Sequence, residues 1–234
     1  MNLAIVHSRA RVGVCAPEVR VEVHLAGGLP SMSIVGLPEA AVREAKDRVR
    51  AAIQCAQFEF PARRITVNLA PADLPKDGGR YDLAIALGIL AASGQLSTQA
   101  LEGWEFLGEL ALTGEIRMVD GVLAAALACG SCARRLLVAP GNGTEAALAS
   151  RVDVRTARTL LEVCAALDAR TQLPQALPVP SQALATPDMA DVRGQVLARR
   201  ALEIAAAGNH HLLLVGPPGS GKTLLASRLC GILP

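Results

Sequence analysis

Eight residues near the end of the 234-residue chain carry the clearest chemical pattern in the sequence. Residues 216–223 read GPPGSGKT and fit the pattern G-x-x-x-x-G-K-[ST] at every position. Glycine lets a backbone turn tightly and approach a bound group closely, because it has no Cβ. The amides from about Gly219 to Thr223 would point inward at a helix N-terminus, which favours an anion. The pattern therefore predicts a loop that binds the phosphates of ATP or GTP, rather than a Gly/Pro turn with a chance lysine.

Two side chains of this loop have separate predicted roles. Lys222 should reach the β- and γ-phosphates, and the hydroxyl of Thr223 should hold Mg²⁺. The acids that activate water and complete the metal site in such enzymes usually follow the loop, and the sequence ends eleven residues after Thr223. We therefore expect this chain to contain no catalytic residue for hydrolysis and not to turn over ATP. The predicted nucleotide contacts within the loop are Gly216, Gly219, Ser220, Gly221, Lys222 and Thr223.

The segments around the loop predict the elements that position it. The apolar run His210–Val215 is typical of a buried strand, and residues 223–229 predict a helix. Upstream, residues 198–208 predict an amphipathic helix that Gly208 closes as its C-cap. The preceding residues 191–195, DVRGQ, are typical of an N-capped helix start.

Composition limits the classes of function. The chain is 51% hydrophobic, which suits a globular core, and its formal net charge of +2 argues against a strongly basic nucleic-acid clamp. Aromatic residues make up 2%, so a platform that stacks single-stranded bases is not expected. The sequence has no apolar run of membrane-spanning length and no signal peptide, so we expect a cytoplasmic protein with no membrane partner. Cys129 and Cys132 form a close pair, for which either buried thiols at a helix end or a redox pair remains open.

The first 170 residues alternate between strand and helix patterns, which predicts an α/β domain. Residues 171–187, rich in proline, predict an extended linker, and residues 188–234 begin a second, nucleotide-binding domain. The predicted strands cover residues 3–6, 19–23, 31–35, 65–69, 104–112, 136–139 and 152–154. The predicted helices cover residues 38–57, 81–92, 121–128, 143–149 and 160–167.

The predicted helix 38–57 has an apolar stripe and, on another face, three cations. Such a face is either simply solvated or a contact for nucleic acid. If the domain binds DNA, the contacts should go to phosphates without sequence preference. The side chains for such contacts would be Arg43, Lys46, Arg50, Arg63 and Arg64.

Four stretches together resemble a known family. They begin GLPSMSIVGLPEAAVREAKDRVRAAI, FPARRITVNLAPADLPKDGGRYDLAIALG, FLGELALTGEIRMVDG and ADVRGQVLARRALEIAAAGNHHLLLVGPPGSGKT. Along nearly its whole length, the chain resembles the bacterial magnesium-chelatase-like AAA+ ATPases of the YifB/ComM group. The resemblance implies an ATP-driven motor that promotes DNA branch migration during natural transformation and assembles as a hexameric ring. It also implies a first domain with the ribosomal S5 domain 2-like fold, as in the Lon protease domain, followed by the start of a P-loop AAA+ domain.

The same resemblance changes two local interpretations. It makes residues 191–195 an adenine-side contact, with Val192 and Gly194 as binding residues. Family members carry a Walker B strand, sensors and an arginine finger after the phosphate loop, so this chain is expected to be the front half of a longer ATPase. Its substrate stays open: a chelatase- or chaperone-like motor would remodel protein instead of DNA, and a non-enzymatic module would only bind partners.

The Lon-like resemblance raises the question of peptidase activity. Lon-type peptidases carry a serine in a motif similar to PKDGPSAG, and a lysine further on that activates it. Residues 75–78 match PKDG, but Arg80 stands at the serine position and Ala125 near the lysine position. We therefore expect no peptidase activity. Asp73, Lys76, Asp77 and Arg80 would instead shape a loop or a contact surface for DNA or a neighbouring subunit.

Overall fold

The chain folds into two compact units, residues 1–179 and 180–234. The structure, a computed structural model, describes residues 2–39, 42, 44–179 and 187–233. Arg43, one of the predicted phosphate-contacting cations, lies outside the described residues. Among the described residues, no helix combines the length and the apolar character needed to cross a lipid bilayer.

The first unit is built on a mixed, mostly parallel sheet of seven strands in the order β3-β4-β2-β1-β5-β8-β9. β2 pairs antiparallel with both β1 and β4, and the remaining neighbours pair in parallel. β6 and β7 form a separate antiparallel ribbon. The strands are β1 (Leu3–Arg9), β2 (Glu18–Ala26), β3 (Ser31–Val35), β4 (Arg64–Ala70), β5 (Trp104–Phe106), β6 (Glu109–Leu110), β7 (Ile116–Arg117), β8 (Arg135–Val138) and β9 (Val154–Thr156).

The helices cover the two ends of this sheet differently. The larger core cluster joins α1, α2 and α5 to one face of the sheet, and a second cluster joins α3 and α4 to the other face beside β8 and β9. Along β1, β2 and β4, buried side chains alternate with more exposed ones, so this part of the sheet is covered on one face only. The helices are α1 (Ala45–Cys55), α2 (Asp82–Ala92), α3 (Val122–Ser131), α4 (Pro140–Ala146) and α5 (Leu160–Leu167).

Apolar patterning explains the central helices. Every residue of α2 is buried, as its nearly continuous apolar sequence predicts. The apolar stripe predicted on helix 38–57 is buried, at Val42 before α1 and at Ala45, Val49, Ala52 and Ile53 within it. This confirms which face of the helix packs against the core. The described helix runs from Ala45 to Cys55 within the predicted range 38–57, of which residues 40, 41 and 43 lie outside the described residues.

The predicted strand 104–112 is wrong as a single element. It divides into β5 and β6 at residues 107 and 108. The amide of Leu107 still donates to the carbonyl of Leu137 in β8, but the amide of Gly108 donates to the carbonyl of Arg80, which lies outside the sheet. A Cβ on Gly108 would lie 2.5 Å from the Cγ2 of Ile116, so the break needs glycine at this position. The turn at residues 113–115 lies between β6 and β7.

Two further boundaries in the first unit differ from prediction. The helix expected at 143–149 begins earlier, at Pro140, where the fixed φ of proline suits the first helical turn. The strand expected at 152–154 is shifted to Val154–Thr156.

Part of the segment expected to be a free linker packs against the first unit. The amide of Ala176 donates to the carbonyl of Val154 at 2.9 Å, and the amide of Thr156 donates to the carbonyl of Pro174 at 3.0 Å. Leu173 is buried in the main core cluster. Residues 174–176 therefore extend the edge of the sheet at β9.

The second unit contains α6 (Val196–Gly208), α7 (Lys222–Arg228) and short 3₁₀ turns at Met189–Asp191 and Leu229–Gly231. A small cluster of Met189, Val192, Leu202 and Leu225 forms its core. The predicted C-cap at Gly208 is wrong by one residue. Gly208 ends the helix, and Asn209 takes the left-handed cap conformation with φ 51°.

The predicted buried strand His210–Val215 is also not found. Within residues 187–233 this run makes no strand pairing, and Leu213 and Val215 are 84% and 86% exposed. Leu214 alone packs against the small core. An apolar run becomes a strand only where another strand can take its backbone hydrogen bonds, and the described part of this unit offers none.

Candidate nucleotide-binding site

The predicted phosphate loop leads directly into α7. Gly219 and Gly221 both have φ of +80°, a left-handed conformation that residues with a Cβ rarely adopt. The amide of Ser220 donates to the carbonyl of Pro217, which closes a turn inside the loop. Gly219 and Gly221 therefore stand where the backbone conformation requires glycine.

Lys222 lies across this loop. Its ammonium group donates to the carbonyl oxygens of Gly216 and Pro217, each at 2.7 Å, and contacts Ser220 Oγ at 3.2 Å. The three donors of the ammonium group are thus directed at the loop that the sequence pattern assigns to phosphate. Among the described residues no carboxylate lies within ion-pair distance of Lys222, so its ammonium group is available to an anionic ligand.

Gln195 is a site residue that the sequence analysis did not single out. Its side-chain amide donates to the carbonyl of Ser220 at 2.9 Å, across 25 residues of sequence. Gln195 stands at the N-cap of α6 in a left-handed conformation, with φ 49° and no side-chain capping bond. The helix α6 begins at Val196, two residues before the predicted start at residue 198, and Gln195 is its N-cap by position. The side chain of Gln195 contacts the loop instead of capping the helix.

The other predicted contacts occupy different environments. Thr223 is exposed in the first turn of α7, and within residues 187–233 its hydroxyl has no hydrogen-bond partner. Val192 is buried in the small core, so its side chain holds the segment in place. Gly194, exposed and with φ of +70°, makes the turn that directs Gln195 toward the loop.

An ion pair ties this segment to the far end of α7. Arg228 Nη2 lies 3.2 Å from Asp191 Oδ2. Together with the Gln195 hydrogen bond, it connects residues 191–195 to both the start and the end of the loop–helix segment. The two parts of the predicted site, far apart in sequence, are therefore in contact.

The residues compared above with a Lon-type serine motif include two cations that bind main-chain carbonyls. Buried Arg80 donates to the main-chain carbonyls of Arg9 and Asp120, and Lys76 donates to the carbonyl of Pro71. Burial lowers the pKa of both Arg80 and Lys76. Arg80 thus connects loops where a serine nucleophile would stand in a Lon-type site.

Comparison with known proteins agrees with these motifs. The family described as subunit ChlI of Mg-chelatase matches residues 21–142, and the family described as magnesium chelatase, subunit ChlI, matches residues 188–234. The chain belongs to the YifB/ComM family of magnesium-chelatase-like proteins. This confirms the resemblance noted in the sequence and identifies an AAA+ protein of the ChlI type.

Individual relatives align along the whole chain. It is 54% identical over 240 residues to competence protein ComM of Haemophilus influenzae and 53% identical over 238 residues to the uncharacterized protein YifB of Salmonella typhimurium. It is also 50% identical over 235 residues to YifB of Escherichia coli. Each alignment covers 100% of this chain but 46–47% of the relative, so the chain spans about half the length of these family members.

Proposed function

We propose that this chain provides the ATP- and Mg²⁺-binding loop and the accessory domain of an AAA+ motor that acts on DNA. The observation that carries the proposal is the arrangement of Lys222 over a loop with two left-handed glycines, buttressed by Gln195. We also propose the S5 domain 2-like fold for the first unit, supported by two helices on one face of its antiparallel strands. A cytoplasmic location and a hexameric ring complete the proposal.

The residues present fit Mg-ATP by the chemistry of their donors. When bound, the nucleotide supplies a phosphoanhydride whose hydrolysis releases free energy for mechanical work. Lys222 supplies the positive charge for the phosphate chain, and the Thr223 hydroxyl is a hard oxygen ligand of the kind that Mg²⁺ prefers. Loop amides between Gly219 and Thr223 would bind phosphate oxygens. Val192 and Gly194 would set the position of the adenine-side segment.

The DNA part of the proposal rests on the family relationship. One relative, 54% identical, is named a competence protein, and competence concerns the uptake of DNA. By this proposal the assembled motor drives branch migration during natural transformation. The alternative is a motor of the same architecture that remodels proteins. DNA should stimulate ATP hydrolysis by a DNA motor, and unfolded protein should stimulate ATP hydrolysis by a remodelling motor.

The test uses a protein of the relatives' full length that carries this chain. Phosphate release should increase severalfold when four-way-junction DNA is added, and the same protein with Lys222→Ala should show neither basal nor stimulated release. Stimulation by unfolded protein but not by any DNA would instead support the remodelling motor. ATP-independent branch migration would contradict the proposed motor function.

A further inference from the structure

A groove in the first unit lies between three separate elements. Its walls are the start of β3, the exposed side of α1 and the loop that precedes β4, and its volume is about 360 Å³. We call it the basic groove. It is lined by Pro30, Ser31, Met32, Lys46, Asp47, Arg50 and residues 60–63.

The charge of the basic groove is unbalanced. Lys46, Arg50 and Arg63 line it, and Asp47 is the one acid among its described lining residues. Arg64 continues the basic surface at the start of β4, where it pairs in register with Ser31. Within the described part of the chain, none of these four cations has an acidic side chain within ion-pair distance.

Several arginines elsewhere in the unit are held by carboxylates, such as Arg48 by Asp82 at 2.7 Å and Arg155 by Asp153 at 2.8 Å. The basic groove instead brings several cations together without acidic partners among the described residues, in a protein with a net charge of only +2. Unpaired cations in a concave surface concentrate positive potential and attract a polyanion.

One aromatic ring orients a cation at the rim. The guanidinium carbon of Arg50 lies 5.2 Å from the centre of the Phe60 ring. Phe60 also packs against the main core, so its ring is a fixed platform for Arg50. Arg50 lies over this ring, so the ring face is not free to stack on a nucleotide base. The groove therefore presents positive charge, which suits the phosphate backbone of a nucleic acid.

The geometry points to the basic groove as a binding site for the phosphodiester backbone of nucleic acid, without base recognition. Two of the cations come from α1, and the other two are the consecutive residues Arg63 and Arg64 before and at the start of β4. Cations on two separate elements suit successive phosphates along a nucleic-acid strand better than one small anion. Lys46 and Arg50 are four residues apart on α1 and therefore lie on the same face, one helical turn from each other. The proposal deepens the proposed function, because it places a DNA contact of the motor in the accessory unit.

The test measures binding of the 234-residue chain to a fluorescent 20-nucleotide DNA, single-stranded or duplex, over a range of salt. Three to four phosphate contacts predict a slope of log K against log salt of roughly −2 to −3 for single strands and roughly −3 to −4 for duplex. The double variant Lys46→Ala/Arg50→Ala should weaken binding at least tenfold at low salt. Its single-strand slope should become shallower by about 1.4.

A matched pair of substitutions separates the groove from general charge. Arg151 and Arg158 are exposed, flank β9 at the opposite edge of the sheet and have no acidic partner within the described residues. Arg151→Ala/Arg158→Ala removes the same charge and should leave the isotherm and the slope unchanged. Phe60→Leu keeps every charge but releases Arg50, and it should weaken binding about two- to fivefold.

Several results would overturn the inference. The first is the absence of DNA binding at low salt. The second is a loss of DNA affinity in Arg151→Ala/Arg158→Ala as large as that in Lys46→Ala/Arg50→Ala. The third is displacement of the labelled DNA by polyglutamate as effectively as by unlabelled DNA at the same concentration of charge. Lys222→Ala should leave DNA binding by the chain unchanged, while the groove variants should leave Mg-ATP binding unchanged. Failure of the groove and failure of the nucleotide site are therefore separate outcomes.

Discussion

The hydrogen bond from Gln195 to the phosphate loop gives a quantitative prediction for nucleotide affinity. The bond spans 2.9 Å between two uncharged groups at an exposed site, for which a net free energy of about 0.5–1.5 kcal/mol is typical. If the bond holds the loop in its binding conformation, Gln195→Ala should weaken Mg-ATP binding by about two- to twelvefold. Glutamine and alanine both carry a Cβ and meet the same left-handed strain at this position, so the difference between them reports the side-chain hydrogen bond.

Two further substitutions at this position refine the test. Gln195→Glu replaces the donor with a carboxylate that faces an accepting carbonyl and adds a negative charge near the phosphates. It should therefore weaken binding more than alanine does. Gln195→Gly relieves the left-handed strain, worth about 1–2 kcal/mol, but also lacks the donor. It should be more stable than the alanine variant and still bind nucleotide less tightly than the wild type.

Isothermal titration calorimetry with Mg-ATP is the assay, and Gln54→Ala, an exposed glutamine of α1, is the control. The control should bind like the wild type. Equal dissociation constants for the wild type, Gln195→Ala and Gln195→Glu would refute the positioning role of Gln195. The loop would then be held by its glycines and Lys222 alone.

Three other predictions concern stability and loop geometry. Buried Arg9 and Glu105 form an ion pair at 2.6 Å, and Glu105→Gln would leave Arg9 without its charge partner. This substitution should lower the free energy of unfolding in urea by about 3–5 kcal/mol, whereas the control Glu102→Gln, at an exposed position, should change it little. A fragment of residues 1–179 should melt cooperatively, at a temperature several degrees above that of a fragment of residues 1–170, because the fragment 1–170 lacks the segment that hydrogen-bonds to β9. Equal melting temperatures of the two fragments would contradict this. Gly219 and Gly221 both have φ of +80°, but only a Cβ on Gly221 would lie close to another residue, 2.9 Å from the side-chain amide nitrogen of Gln195. Gly221→Ala should therefore weaken Mg-ATP binding more than Gly219→Ala does. The reverse order of affinities would contradict this prediction.

The elements that the sequence predicted well are those in which local pattern and burial agree. The helix α2 is apolar throughout and buried throughout, and the stripe of α1 has helical spacing. Such patterns predict an element reliably, because the apolar face, or the whole apolar helix, has to be buried in any stable fold of the chain. The phosphate loop is equally local, since its glycines, lysine and threonine all fall within the eight residues 216–223.

The predictions that failed depend on contacts between distant residues. The apolar run His210–Val215 resembles a strand, but pairing needs a partner that the described second unit does not provide. The strand expected at 104–112 is broken because Gly108 must approach Ile116, which no local pattern reveals. The contact of Gln195 with Ser220 has the same character. The available signal was only a Gly194-Gln195 pair ahead of the predicted helix, 21 residues before the phosphate loop begins.

The central claim is that the loop at residues 216–223 binds Mg-ATP through Lys222, and amide resonances test it most directly. Titration of the ¹⁵N-labelled chain with Mg-ATP should give saturable shifts for the amides of Gly219, Gly221 and Thr223. The same titration of Lys222→Ala should give no saturable shift, while the remaining amides keep their wild-type positions. Saturation with equal affinity in both proteins, or no response of the wild-type loop at millimolar nucleotide, would contradict the account.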